Sequence, residues 1–120
     1  MSKVKRKLTT ILATDCVGFS KRMDENEELT LENLKACRSI IDPQIKEFGG
    51  RIFYTAGDSV IAEFESPVEC VNAAIGFQKA INDRNNAIPQ DSRLDWRVGI
   101  HLDDVIIEGD NVYGNGVNIA

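Results

Sequence analysis

Arg51-Ile52-Phe53-Tyr54-Thr55-Ala56-Gly57-Asp58-Ser59-Val60-Ile61-Ala62-Glu63-Phe64 sets two short apolar and β-branched runs, Arg51 to Thr55 and Ser59 to Phe64, on either side of Ala56-Gly57-Asp58. Two such runs joined by a short glycine-containing connection predict a β-hairpin with Asp58 at its turn. Upstream, Leu34, Cys37, Ile41, Ile45 and Phe48 recur every three or four residues, which predicts a helix over 27–48 that Gly49-Gly50 ends. Asp42-Pro43 falls inside it, so a kink is expected there, or a second helix with Asp42 as N-cap. Downstream, Ser66-Pro67-Val68-Glu69 combines a capping box with proline at the first helical position. A helix is expected from there, with Val68, Val71, Ala74, Ile75, Gln78 and Ile81 on its inner face and Asn85-Asn86 and Pro89 at its stop.

Outside these helices lie more strands. Leu8 to Thr14 is apolar and β-branched and runs into the polar break Asp15-Cys16-Val17-Gly18-Phe19-Ser20. Leu94 to His101 and Val105 to Glu108 read as two strands with Asp103-Asp104 between them and a Gly109-Asp110-Asn111 turn after them. The order strand, helices, hairpin, helix, strands predicts an α+β sandwich of the split βαβ kind, with the helices on one sheet face. Residues 1–6 read as a basic tail and 7–120 as one domain. Gly114 to Ala120 reads as a loop entering a helix without a cap, so a piece of a longer domain is expected.

The 120 residues are enough for one core and too few for two. Fourteen Lys and Arg against 19 Asp and Glu give a net charge of -5, which argues against a broad nucleic-acid or anionic-membrane footprint. The run after the basic N-terminus meets Asp15 too soon to be a signal core or a bilayer span. Cys16, Cys37 and Cys70 match neither a disulfide framework nor a C-x-x-C motif, so reduced thiols and a cytoplasmic location are expected.

Asp15 closes one strand and Asp58 sits at a hairpin turn, so one sheet could bring both carboxylates together. A divalent cation removes the repulsion of such a pair, and hard oxygen donors suit Mg²⁺. The other reading of the same residues is plain turn and cap chemistry, and spacing alone favours that plainer reading. Cys16 to Ser20 offers backbone N–H groups at a helix start, an anion cradle without a Walker-type lysine. His101 reads as a partly buried structural histidine, Trp96 as core or a strand face, and Asp103-Asp104, Glu25, Glu27 and Glu28 as solvated.

Leu8 to Ser20 (LTTILATDCVGFS), Gly49-Gly50-Arg51 with Thr55-Ala56-Gly57-Asp58-Ser59-Val60, Arg97-Val98-Gly99-Ile100-His101, and Gly114-Asn115-Gly116-Val117-Asn118-Ile119-Ala120 together resemble the class III nucleotidyl cyclase catalytic domain. The resemblance covers about Lys7 to Ala120 and implies a ferredoxin-like core. It also implies two Mg²⁺ or Mn²⁺ ions per site, held by Asp15, Asp58 and the backbone carbonyl of Cys16. The backbone of Val17, Gly18, Phe19 and Ser20 would hold the β- and γ-phosphates, and Asn118 would orient the ribose from the other subunit of a homodimer with shared sites. The implied reaction is conversion of ATP to 3′,5′-cyclic AMP and pyrophosphate.

The pattern departs from the family in two places. The arginine four residues after the family asparagine would fall beyond Ala120, so full activity is expected to require residues outside this chain. Adenine-selecting members carry Lys and Asp where this chain has Tyr54 and Asn111, and guanine-selecting members carry Glu and Cys there. Adenylate cyclase is the leading reading by family frequency. A non-catalytic cyclase-like nucleotide-binding or dimerisation module is the alternative, and guanylate cyclase the third.

Overall fold

The computed structural model describes residues 4–108 and 111–113. In chain order these form β1 (Val4–Cys16), α1 (Phe19–Glu25), α2 (Glu27–Glu47), β2 (Arg51–Ala56), β3 (Ser59–Phe64), α3 (Pro67–Asn86), a 3₁₀ turn (Gln90–Ser92), β4 (Trp96–Glu108) and β5 (Asn111–Tyr113). All pairings in the sheet are antiparallel, in the order β2-β3-β1-β4-β5. The first four strands with α2 and α3 make the ferredoxin-like βαββαβ arrangement.

Side chains alternate across the pleat, so the pairing register fixes which of them share a face. Leu12, Cys16, Val60, Ala62, Phe64 and Trp96 face the helices and pack with Leu34, Cys37, Ile41 and Ile45 of α2 and Cys70, Ala73, Phe77 and Ile81 of α3. The opposite face carries Ala13, Asp15, Ile61, Arg97 and Gly99, by the pairings Ala13↔Ile61, Ala13↔Gly99 and Asp15↔Arg97. His101 lies on that face too, half-buried opposite the fully buried Ile11, as a structural histidine would.

Several local features differ from the sequence reading. The strands on either side of Asp103-Asp104 are one strand, because β1 extends to Val4 and offers a partner to every residue of β4 from Trp96 to Glu108. Helix α2 continues through Pro43 as one helix, so no second helix starts there. Ile41 and Ile45 on either side of the proline are fully buried, and Arg38 grips Asp42 through two 2.8 Å hydrogen bonds, so Asp42 caps nothing. The cap of α2 is Asn26, whose side chain accepts from the Leu29 N–H.

The inner face of α3 differs as well. Val68, Val71 and Ile75 are exposed, while Cys70, Ala73, Ala74, Phe77, Ile81 and Asn85 are buried. Two apolar stripes share this helix, and the one with alanines beside Phe77 allows the closer approach. Lastly, the β2–β3 ladder slips between Ile52 and Tyr54, leaving Phe53 as an extra residue. This bulge re-aims Tyr54 to pair with Ile61, which puts it on the open face.

Candidate nucleotide and metal site

The site lies where β1 ends and the β2–β3 hairpin turns. Thr14 pairs with Val60, so the turn just before Val60 reaches past the end of β1 at the level of Asp15 and Cys16. Gly57 supplies the positive φ of 57° that this two-residue turn needs, and Asp58 follows it. The link is direct: the Cys16 N–H donates to Asp58 Oδ2 at 2.9 Å. On the neighbouring strand Arg97 Nε donates to Asp15 Oδ1 at 2.8 Å. Asp15, Cys16, Gly18, Phe19, Ser20, Lys21, Asp58, Ser59 and Arg97 line one concavity of about 330 Å³. A second trough, of about 410 Å³, continues from it over the open face, floored by Ala13 and Gly99. The two aspartates predicted to meet therefore share a pocket.

The loop between β1 and α1 turns at Gly18, whose φ of 64° is left-handed and favours glycine. The N–H groups of Phe19, Ser20 and Lys21 open α1 and have no carbonyl partner within it. Val17 differs from its neighbours, because its N–H donates to the Asp95 carbonyl at 2.8 Å. Behind the loop the Cys16 thiol is buried in the core. Burial, and then the nearby Asp58 carboxylate, push it up to about 12, so it stays a neutral thiol. Cys37 and Cys70 are likewise buried and free.

Two carboxylates open to one pocket are a fitting donor set for a hard cation that completes its shell with water or phosphate oxygens. Among the described residues no three His, Cys, Asp or Glu side chains converge, so any ion here would also draw on backbone, water or substrate oxygens. Tyr54 is exposed in the same cross-strand row as Ile61, Ala13 and Gly99. Asn111 pairs with Glu108 at the other end of β4, nine residues beyond the Gly99 row and about 30 Å along the strand. Asn118 lies outside the described residues. Sequence reasoning passed over Arg97 as a site residue, because its pairing with Asp15 appears only in the β1–β4 register.

A solved adenylate/guanylate cyclase/hydrolase from Silicibacter pomeroyi superposes with a TM-score of 0.89 at 35% identity, covering 98% of this chain and 69% of that one. The chain belongs to the adenylate/guanylate cyclase family. Its cyclase sequence is also 36% identical, over 118 residues, to the protein named "Putative adenylate cyclase 3" of Rhizobium meliloti (strain 1021). It is 29% identical over 119 residues to serine/threonine-protein kinase pkn2 of Myxococcus xanthus. Each match covers 98% of this chain, which spans 20% of the first relative and 14% of the second. No family model matches the chain. Among the described residues of this cyclase-family chain, no helix is long and apolar enough to cross a membrane.

Proposed function

We propose that the chain is the catalytic part of an adenylate cyclase that converts ATP to 3′,5′-cyclic AMP and pyrophosphate. The observation that carries this reading is the meeting of Asp15 and Asp58 in one pocket, next to the N-terminal turn of α1. In the reaction the ribose 3′-oxygen attacks the α-phosphorus, the bond from that phosphorus to the pyrophosphate oxygen breaks, and the hydroxyl proton passes to water. Asp15 and Asp58, with the Cys16 carbonyl, would hold Mg²⁺ or Mn²⁺. Bound there, the cations would acidify the 3′-hydroxyl and neutralise the charge of the leaving pyrophosphate.

The chain's own residues do the positioning. Gly18 turns the backbone so that the N–H groups of Phe19 and Ser20 can receive phosphate oxygens. Ala13 and Gly99 keep the trough shallow and open beside it. A homodimer would let a second copy bring Asn118, and with it Asn111, to the site. Tyr54 and Asn111 are neutral and make no charge-assisted pair with either purine edge, so GTP is the second substrate to test.

The test is to incubate purified protein that continues past Ala120 with Mn²⁺ and either ATP or GTP and to resolve the products by chromatography. Cyclic AMP that disappears in Asp15→Asn is the expected result. Cyclic GMP from GTP as the sole product moves the assignment to guanylate cyclase. Formation of neither product, with nucleotide still bound, favours a regulatory cyclase-like module, a reading supported by the similar stretch in a protein kinase.

A further inference from the structure

The two acidic side chains of the site are held by partners of different kinds. Asp58 accepts from the Cys16 backbone N–H, a donor fixed at the end of β1. Asp15 accepts from Arg97 through Nε alone, and the Arg97 side chain is 68% exposed against 40% for Asp15. Asp15 and Arg97 are direct partners in the β1–β4 register, so the pleat raises both side chains on the open face. Thr14 Oγ1 donates to the Arg97 carbonyl at 2.7 Å and fixes the backbone from which the arginine reaches. Arg97 lines the same concavity as both carboxylates.

A carboxylate oxygen engaged by guanidinium is a poorer ligand for a divalent cation, and the guanidinium charge repels an ion placed beside it. The pair is also exposed and singly bonded, hence weak and easily exchanged. We propose that Arg97 is a built-in competitor for the cation at Asp15. In the ion-free protein it serves as the counter-ion that keeps two neighbouring carboxylates from repelling each other. A free divalent ion must displace it, and so binds more weakly than the two carboxylates alone would allow. This inference rests on the reading of Asp15 and Asp58 as cation ligands.

The experiment titrates the purified protein with MnCl₂ in the absence of nucleotide and follows free Mn²⁺ by electron paramagnetic resonance. Circular dichroism confirms that each variant is folded. Arg97→Gln is expected to bind Mn²⁺ about fivefold more tightly than the parent protein, the upper end for an exposed ion pair. Arg97→Lys, which keeps the charge, is expected to stay within about twofold of the parent. Asp58→Asn should weaken binding in both the parent and the Arg97→Gln background, which locates the ion. If Arg97→Gln is unchanged or weaker, or if Arg97→Lys tightens as much as Arg97→Gln, the competition is overturned while the cation site stands. If neither the parent nor Arg97→Gln binds Mn²⁺, both the competition and the cation site fall.

Discussion

Asp58 has two separable tasks, and a pair of substitutions can pull them apart. Its Oδ2 holds the N–H of Cys16, a residue only 2% exposed, and in the proposed function the same carboxylate holds a cation. Asp58→Ala removes both and leaves a buried donor without its partner. A hydrogen bond to a charged group contributes about 1.5–3 kcal/mol, and the half-exposure of Asp58 argues for the lower figure, about 1.5. For a domain of this size that lowers Tm by roughly 6 °C. Asp58→Asn keeps an oxygen acceptor and loses the charge, so about 0.5 kcal/mol and a few degrees are expected. Both variants should lose Mn²⁺ binding and cyclase activity together. The assay is thermal unfolding by circular dichroism beside metal titration and product formation. Equal Tm losses for the two variants would refute the assignment of the stabilising task to the hydrogen bond. An active Asp58→Asn would refute the cation task.

Two further outcomes are expected. A Cβ at Gly50 would stand 2.5 Å from Phe64 Cζ and 2.7 Å from Ile45 Cγ2, both in fully buried side chains. Gly50→Ala should therefore destabilise by about 3 kcal/mol in urea unfolding, and a loss under about 0.5 kcal/mol would count against the packing described. Burial pushes Cys16 up to about 12 and Cys70 to about 11, so in the unfolded chain both thiols ionise earlier, near 9.0. Stability from this source is complete below pH 9 and falls as pH rises toward 11–12, by about 1.4 kcal/mol per pH unit per thiol. Cys70→Ala should flatten the decline in urea midpoint above pH 9, and an unchanged slope would contradict it.

Local patterns in the sequence carried most of this architecture. The hairpin around Gly57 and the capping box at Ser66 are set by adjacent residues, and both stand where those residues put them, with Ser66 accepting from the Glu69 N–H. The meeting of Asp15 with Asp58 was only partly legible, since a strand end and a hairpin turn place the two residues but spacing alone favoured plain turn and cap roles for both. What was not legible depends on distant partners. Asp103-Asp104 looks like a break until β1 pairs alongside it. Val71 and Ile75 have the right spacing to be core, and only packing against α2 and the sheet decides that Phe77 and its alanines face inward. The bulge at Phe53 leaves no mark in composition, yet it determines which face Tyr54 joins. Arg97 was hidden likewise, because its meaning lies in a residue 82 positions earlier.

The central place of β1 has a consequence for how the protein is made. Of the five described strands, the first to leave the ribosome is the one flanked on both sides in the finished sheet, by β3 and by β4. One flank can be filled once the hairpin has emerged, but the other stays empty until Trp96–Glu108 has been synthesised. During that interval a long strand edge is open to pairing with another nascent chain, so crowded synthesis should favour aggregation and slower elongation through the α3 region should not relieve it.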